Sequence, residues 1–243
     1  MPVYPQIVPM GEQAILINFK PEISSEQLEK VLFYKRLIKN SEFKVKVEVL
    51  NTYNSLLINY DSTIEDAYSE FSRLKSLLKT AKIEKKGNSR LFYVPVCYDE
   101  EFGFDLQLIS EQKNISISEI IELHTRPVYL IYFLGFLPGF LYLGGLDEKL
   151  HFPRKNSPRK QVEKGSVGIG GNQTGIYPEN SPGGWQILGR TPVKLFNPKL
   201  QNPSPFSAGD HLKFYAVSRD EYLALEEEIN AGQFQFKSEN YES

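Results

Sequence analysis

The spacing of apolar residues switches between a strand period and a helix period along the first part of the chain. Residues 14–19 form a short apolar run and predict a strand. Behind Ser24-Ser25-Glu26-Gln27, the residues Leu28, Val31, Leu32, Lys35 and Ile38 recur at helical spacing. The serine hydroxyl there can accept an orphan helix N–H, and Gln27 can reach back to the cap. Val45, Val47 and Val49 alternate with Lys46 and Glu48, the mark of a half-buried strand, and 56–60 predicts its return after a turn. Ser62-Thr63-Ile64-Glu65 predicts a second capped helix carrying Ala67, Phe71, Leu74, Leu77 and Leu78, broken by Gly87-Asn88. Residues 91–96 predict another strand. The order β-α-β-β-α-β is the split βαβ, or ferredoxin-like, pattern. That pattern hosts many functions and selects none.

A connector with two short helices follows. Asp105 can cap the first, and Ser116-Ile117-Ser118-Glu119 caps the second, which Pro127 stops after His124. From Gly135 to Gly189 the composition changes: twelve of the 17 glycines and five of the 15 prolines fall there, which forbids long helices. Short strands at 166–169, 186–188, 193–196 and 212–217 predict an all-β, barrel-like domain with elaborate loops. Ser218-Arg219-Asp220-Glu221 caps a closing helix that Gly232 ends. The expected organisation is an α+β chain: a ferredoxin-like domain over 1–90, a β-barrel domain with connector helices and a closing helix over 91–232, and a frayed tail over 233–243.

Composition narrows the function classes. The chain has 243 residues, 41% hydrophobic and 24% charged, enough for a substantial core. A net charge of −2 gives no electrostatic reason to expect nucleic acid or an anionic membrane as the main partner. A single cysteine, Cys97, excludes an intramolecular disulfide and points to a reducing, cytoplasmic compartment. Met1-Pro2-Val3-Tyr4-Pro5 has neither the basic nor the apolar region of a secretory signal. The apolar stretch 127–143 is interrupted by Gly135, Pro138 and Gly139 and reads as buried strand and turn rather than a spanning helix.

Standard chemical fingerprints fail. Gly170 and Gly175 have phosphate-loop spacing, but Ile176-Tyr177 replaces the Lys-Ser/Thr pair that would meet phosphate and magnesium. Gly168-Ile169-Gly170 is followed by Gln173 where a dinucleotide loop needs glycine. No nucleophile elbow surrounds Ser166. His124, His151 and His211 have no paired spacing, so no metal site is expected, and His124 reads as a cap or core hydrogen-bonder.

The information lies between Phe133 and Pro192. Arg154 and Arg159, in two Pro-Arg pairs around Asn156, can bind a carboxylate or phosphate bidentately. Gln173 and Thr174 offer amide and hydroxyl groups, Tyr177 and Trp185 can wall a pocket, and Arg190 adds a cation. Gly139, Gly175, Gly183 and Gly184 shape loops and allow close approach of backbone to a ligand. The competing reading is that the arginines pin loops and the glycines only shape the barrel; Phe136 and Phe140 are expected to pack the barrel core. No nucleophile or acid–base pair stands out, so no catalytic residue is assigned.

The strings Gly135-Phe136-Leu137-Pro138-Gly139-Phe140-Leu141-Tyr142-Leu143, Gly165-Ser166-Val167-Gly168-Ile169, Gln173-Thr174-Gly175-Ile176-Tyr177-Pro178, Ser181-Pro182-Gly183-Gly184-Trp185 and Gly189-Arg190-Thr191-Pro192 are too particular for ordinary turns. With Tyr93-Val94-Pro95-Val96-Cys97-Tyr98 and Phe102-Gly103-Phe104-Asp105-Leu106, they make the chain resemble the KipI / allophanate hydrolase subunit 1 family over essentially its whole length. It departs from the family at Val162-Glu163-Lys164, at Gly11-Glu12 and at Gly170. The resemblance implies a cyclophilin-like barrel and one component of a heteromeric, ATP-dependent 5-oxoprolinase that opens 5-oxo-L-proline to L-glutamate. It further implies ATP with Mg used by the complex rather than bound tightly by this chain, silence of the isolated chain, and, as partners, a C-subunit homologue and a LamB/YcsF-type A subunit. The same family also implies two alternatives: a Kip-type inhibitor of a histidine kinase, and a carboxyltransferase-type role as in urea carboxylase.

Overall fold

The computed structural model describes residues 3–43, 45–80 and 89–242. The chain divides into two units, Met1–Gly87 and Asn88–Ser243. In the first, strands β1 (Gln6–Pro9), β2 (Ala14–Asn18), β3 (Val47–Asn51) and β4 (Ser55–Tyr60) form an antiparallel sheet in the order β1-β2-β4-β3. Helices α1 (Ser25–Lys39) and α2 (Ala67–Thr80) complete the unit. Ile15 and Ile17 of β2, Leu56 and Ile58 of β4, Val31 and Ile38 of α1 and Leu74 of α2 share one core. Ser24 caps α1 as the pattern predicts, its hydroxyl accepting the Gln27 N–H at 3.1 Å.

Two expectations for this unit change. The second helix is not capped from Ser62–Glu65; it starts at Ala67, and Asp66 Oδ1 accepts the Ser69 N–H at 2.9 Å. The strand over 91–96 does not complete this sheet. It is part of β5 (Ser89–Cys97) and belongs to the second unit, while β1 takes the edge beside β2. The burial along β5 explains this: residues 91, 92 and 94–97 are all buried, on both faces of the strand, which suits a doubly covered barrel strand rather than a sheet edge. The split βαβ order is therefore not what this unit builds. The Gly87-Asn88 helix break lies outside the described residues.

The second unit is a closed barrel. After β5 come α3 (Leu106–Lys113), α4 (Ile117–Thr125), β6 (Tyr129–Leu134), β7 (Leu141–Gly144), β8 (Arg159–Val162), β9 (Ser166–Gly170), β10 (Gln173–Ile176), β11 (Ser181–Gly183), β12 (Gln186–Arg190), β13 (His211–Val217), α5 (Arg219–Asn230) and β14 (Ser238–Tyr241). The strands run β12-β9-β10-β7-β6-β13-β5, and Arg190 pairing with Cys97 closes the ring at seven strands. Within it β13 and β5 are parallel. Strands β8 and β11 form a separate ribbon. Alternate residues of each strand point inward: Leu141 and Leu143, Val167 and Ile169, and Ile176 join Val94, Leu188 and Phe214 in the barrel core. Ile109 of α3 and Ile120 and Leu123 of α4 pack into the same core.

Two further expectations are corrected here. Residues 193–196 are not a strand, although Val193 and Leu195 remain buried. The tail is not frayed along its length: β14 pairs antiparallel with β5, from Ser238 opposite Phe92 to Tyr241 opposite Ser89. Phe234 and Phe236 pack on the barrel core and pin it there. No helix among the described residues is long and apolar enough to cross a membrane.

Candidate functional site

The outward residues of β7, β9 and β10 build the site. Opposite the core-facing positions, β9 presents Gly168 and Gly170, and β10 presents Gly175. Trp185 lies across this glycine floor: a Cβ at Gly170 would fall 2.7 Å from the indole, and one at Gly175 would fall 3.0 Å from Trp185 Cζ3 and 2.5 Å from the Leu141 carbonyl oxygen. Only glycine lets the ring sit this close to the barrel wall. Around it an aromatic cluster centres on Phe140, whose ring lies 4.8 Å from Tyr142, 5.2 Å from Tyr177, 5.5 Å from Trp185 and 5.7 Å from Phe136. Burial raises the Tyr177 phenol above its ordinary pKa. Gly183 fits against Tyr177, where a Cβ would fall 2.5 Å from the phenol oxygen; Gly184 has no neighbour closer than 3.6 Å.

The loop from β6 to β7 carries unusual backbone. Phe136 has φ +68 and Gly139 φ +87. A bulky side chain in the left-handed region is strained, and Phe136 is 63% exposed. The expectation that both Phe136 and Phe140 pack the barrel therefore holds for Phe140 alone.

Loop 153–158 is stitched to the segment before β12. Lys155 N–H donates to the Gly184 carbonyl at 2.7 Å, Gln186 Nε2 donates to the Pro153 carbonyl at 3.1 Å, and Arg159 Nη1 donates to the Trp185 carbonyl at 3.3 Å. Beneath them lies Asp105, 3% exposed. Its carboxylate takes Arg159 Nη2 at 2.7 Å, Lys155 Nζ at 3.2 Å and the Ile187 N–H at 2.7 Å. Its side chain makes no cap bond to α3, contrary to the role expected of it, because both oxygens are committed to these partners. This seam holds Arg154 over Trp185, with 5.6 Å from the guanidinium carbon to the ring centroid. Arg154 is exposed and has no salt bridge among the described residues. It is the cation available to a ligand.

The candidate residues thus separate. Arg154, Tyr177, Trp185, Gly175 and Gly183 gather on the outer face. Gln173 stands beside them, paired with Gly170, and its buried Oε1 has no hydrogen-bond partner among the described residues. Arg159 is spent on Asp105. Thr174 points the other way, into the core: its hydroxyl donates to the Gly168 carbonyl at 3.1 Å and so accepts from His124 Nε2 at 2.9 Å. Tyr98 then donates to His124 Nδ1 at 2.7 Å, and burial lowers the His124 pKa to about 3, so this imidazole is neutral. Arg190 also stands apart. It pairs with Ser166 while Gln186 pairs with Ile169, which places it roughly 10 Å along the barrel wall. There it stacks on Phe102 at 4.9 Å and bonds Glu163. Neither Thr174 nor Arg190 lies on the Trp185 face.

Asp105, Lys155 and Gln186 also build this site, and the sequence does not mark them as site residues. Asp105 stood in one of the particular strings but read as a helix cap, and Lys155 sits directly after Arg154. The glycine stretch does not fit a phosphate cradle, because the Trp185 ring fills the space over it. No group of three or more His, Cys, Asp or Glu side chains gathers among the described residues to hold a metal.

Residues 5–206 match the family model described as carboxyltransferase domain, subdomain C and D. The chain is 37% identical over 240 residues to the B subunit of Bacillus subtilis 5-oxoprolinase, covering 95% of this chain and 100% of the relative. It is 38% identical over 208 residues to the B subunit of Haemophilus influenzae 5-oxoprolinase, covering 86% and 96%. Among solved structures it is similar to TTHA0988, with TM-score 0.73 and 29% identity, over 85% of this chain but only 40% of that longer chain.

Proposed function

The chain belongs to the family of carboxyltransferase subdomains C and D, alongside the bacterial 5-oxoprolinase B subunits, and from that membership we propose that it is the B subunit of a heteromeric, ATP-dependent 5-oxoprolinase. The observation that carries this reading is coverage: the likeness extends over 100% of one such relative and 96% of another, so it concerns a whole subunit rather than a shared module. The complex converts 5-oxo-L-proline to L-glutamate in the cytoplasm. Its partners are a C-subunit homologue and a LamB/YcsF-type A subunit. The family description supports a partner that supplies the complementary subdomains, and so does the solved relative whose chain runs well beyond the matched part.

Opening the lactam adds water to the ring carbonyl carbon, breaks the ring C–N bond and leaves a proton on the nitrogen. This chain's part is binding. Arg154, held above Trp185, takes the substrate carboxylate as a bidentate anion partner. Phe136 offers exposed, flat apolar surface to the ring, while the buried Trp185 indole seats Arg154. Gln173 Oε1, which needs a donor, suits the lactam N–H. ATP with Mg is assigned to the partner subunits, because this chain's glycines lie under an aromatic ring. The isolated chain, with no nucleophile on this face, is silent.

Reconstitution tests the proposal. The three purified subunits together should release glutamate from 5-oxoproline and ATP, and this chain alone should release none. Turnover by the isolated chain, or an inert mixture in which all three subunits co-elute, would overturn it.

A further inference from the structure

The N-terminal unit has a feature that the barrel chemistry does not use: a cavity of about 680 Å³ between the end of β4, the loop before β3 and the first turns of α2. That size lies in the range of small-molecule sites, about 300–1,000 Å³. One wall is aromatic. The rings of Phe43 and Tyr60 meet edge to face at 5.9 Å, and the Arg73 guanidinium carbon lies over Phe43, 4.2 Å from the ring centroid. Beside it the polar groups are already matched to one another. Glu70 accepts the Tyr60 O–H at 2.6 Å and takes Arg73 Nη2 at 2.6 Å and Arg73 Nε at 3.0 Å. The guanidinium is therefore committed and offers no attraction to an anion.

Among the described residues the rest of the lining has one sign. Glu42, Glu65 and Asp66 also line the cavity, so among the described lining residues four carboxylates face one guanidinium that Glu70 already neutralises. Asp66 spends one oxygen on the cap of α2. No salt bridge among the described residues engages Glu42 or Glu65, and both are exposed at the rim. An apolar wall with a carboxylate rim selects a cation on a flat apolar body: Phe43, Val45 and Ile64 offer apolar surface to the body, and the carboxylates pair the ammonium. We propose that this cavity is a binding site for a small organic ammonium carrying an aromatic or similarly flat apolar group. The site lies wholly within the first unit, and the proposal is independent of the role assigned to the barrel.

Calorimetric titration of the full chain with three probes sharing one ring system tests it: tryptamine (cationic), tryptophol (neutral) and indole-3-acetate (anionic). Tryptamine should bind, more weakly as salt rises from roughly 20 to 200 mM and the Debye length shrinks. Tryptophol should bind less well, and indole-3-acetate should give no heat. The double variant Glu42→Gln/Glu65→Gln, altered only at exposed positions, should melt with the parent and weaken tryptamine about five- to tenfold, the worth of two exposed charge contacts. Equal affinity for all three probes would overturn the proposal, as would no tryptamine binding at millimolar concentration. Tryptamine seated at the barrel's aromatic face would ignore the double variant, and that result would also overturn it.

Discussion

Asp105 and Arg159 meet at 2.7 Å, and this contact ties the start of α3 to the loop that presents Arg154. Asp105 also donates its own N–H to the Ile187 carbonyl at 3.1 Å, while its carboxylate accepts the Ile187 N–H. One buried carboxylate thereby sets the height of the Arg154 loop above the barrel wall. Its partners are half-buried, with Arg159 and Lys155 side chains 26% and 23% exposed. The pair therefore matters most when one member is missing.

Asp105→Asn should lower stability by about 2–4 kcal/mol, a little under the cost of breaking a fully buried pair, because two cations lose their counter-charge. Arg159→Ala should act in the same way, through the melting temperature more than through substrate recognition. Thermal denaturation checks both. Variants that melt with the parent would show that the seam carries no strain when broken.

Arg154→Ala should leave the fold intact, since the guanidinium is exposed, rests on the Trp185 ring and makes no salt bridge among the described residues. In the reconstituted complex it should reduce kcat/KM by about 2–3 kcal/mol, roughly 30- to 150-fold, the scale of a charge-assisted hydrogen bond to an anion. Steady-state glutamate release on the assembled complex measures this. Undiminished kcat/KM would remove Arg154 from substrate recognition.

The buried His124 makes stability depend on acid. Its folded pKa, lowered to about 3 by burial, lies below the ordinary unfolded value near 6.5. The unfolded chain therefore binds the extra proton first, and stability falls as pH drops below about 6.5 towards 3. Between pH 7 and 5 the loss should be about 2 kcal/mol from this group. Urea melts across that interval should show the slope in the parent. His124→Gln, which also breaks the link between Tyr98 and Thr174, should be less stable at pH 7 but flatter with pH. An equal slope in both would assign the acid sensitivity elsewhere.

Gly170→Ala should displace the indole, because the added methyl meets it at 2.7 Å. Overpacking of this kind costs about 1–3 kcal/mol. Trp185 is the single tryptophan of the chain, so its emission reports the change directly. A red shift with retained barrel circular dichroism is expected; an unshifted spectrum would mean that the ring tolerates the methyl.

What was legible in the sequence was local. Ser24, Ser116 and Ser218 cap helices as predicted, because a cap needs only its own next turn. Strand partners were not legible. Residues 91–96 look the same whether they edge the first sheet or sit inside a barrel, and the choice depends on a strand far along the chain. The two Pro-Arg pairs show the same limit at the site. Arg154 and Arg159 have nearly identical neighbours, yet Asp105 reaches only Arg159. Gln173 and Thr174 are adjacent, so strand alternation must send them to opposite faces. Glycines on either side of them hid which face was the core. Phe234 and Phe236, spaced to anchor one face of a strand, were a usable sign that the tail was held.

Strand β5 has consequences for how the protein is made. It is the first strand of the second unit to leave the ribosome, yet none of its ladder partners lies nearby. Arg190 pairs with Cys97, His211 with Leu91, and Ser238 with Phe92. About 90 residues must follow before the nearest of these partners exists, which takes roughly 5–20 s at typical synthesis rates. During that time an almost wholly apolar segment has no sheet to join. The first unit, complete by then, can fold on schedule, whereas the barrel ring closes only once β12 and β13 have emerged. The nascent chain is therefore exposed to aggregation at the stretch Leu91-Phe92-Tyr93-Val94-Pro95-Val96, which a holdase chaperone would shield.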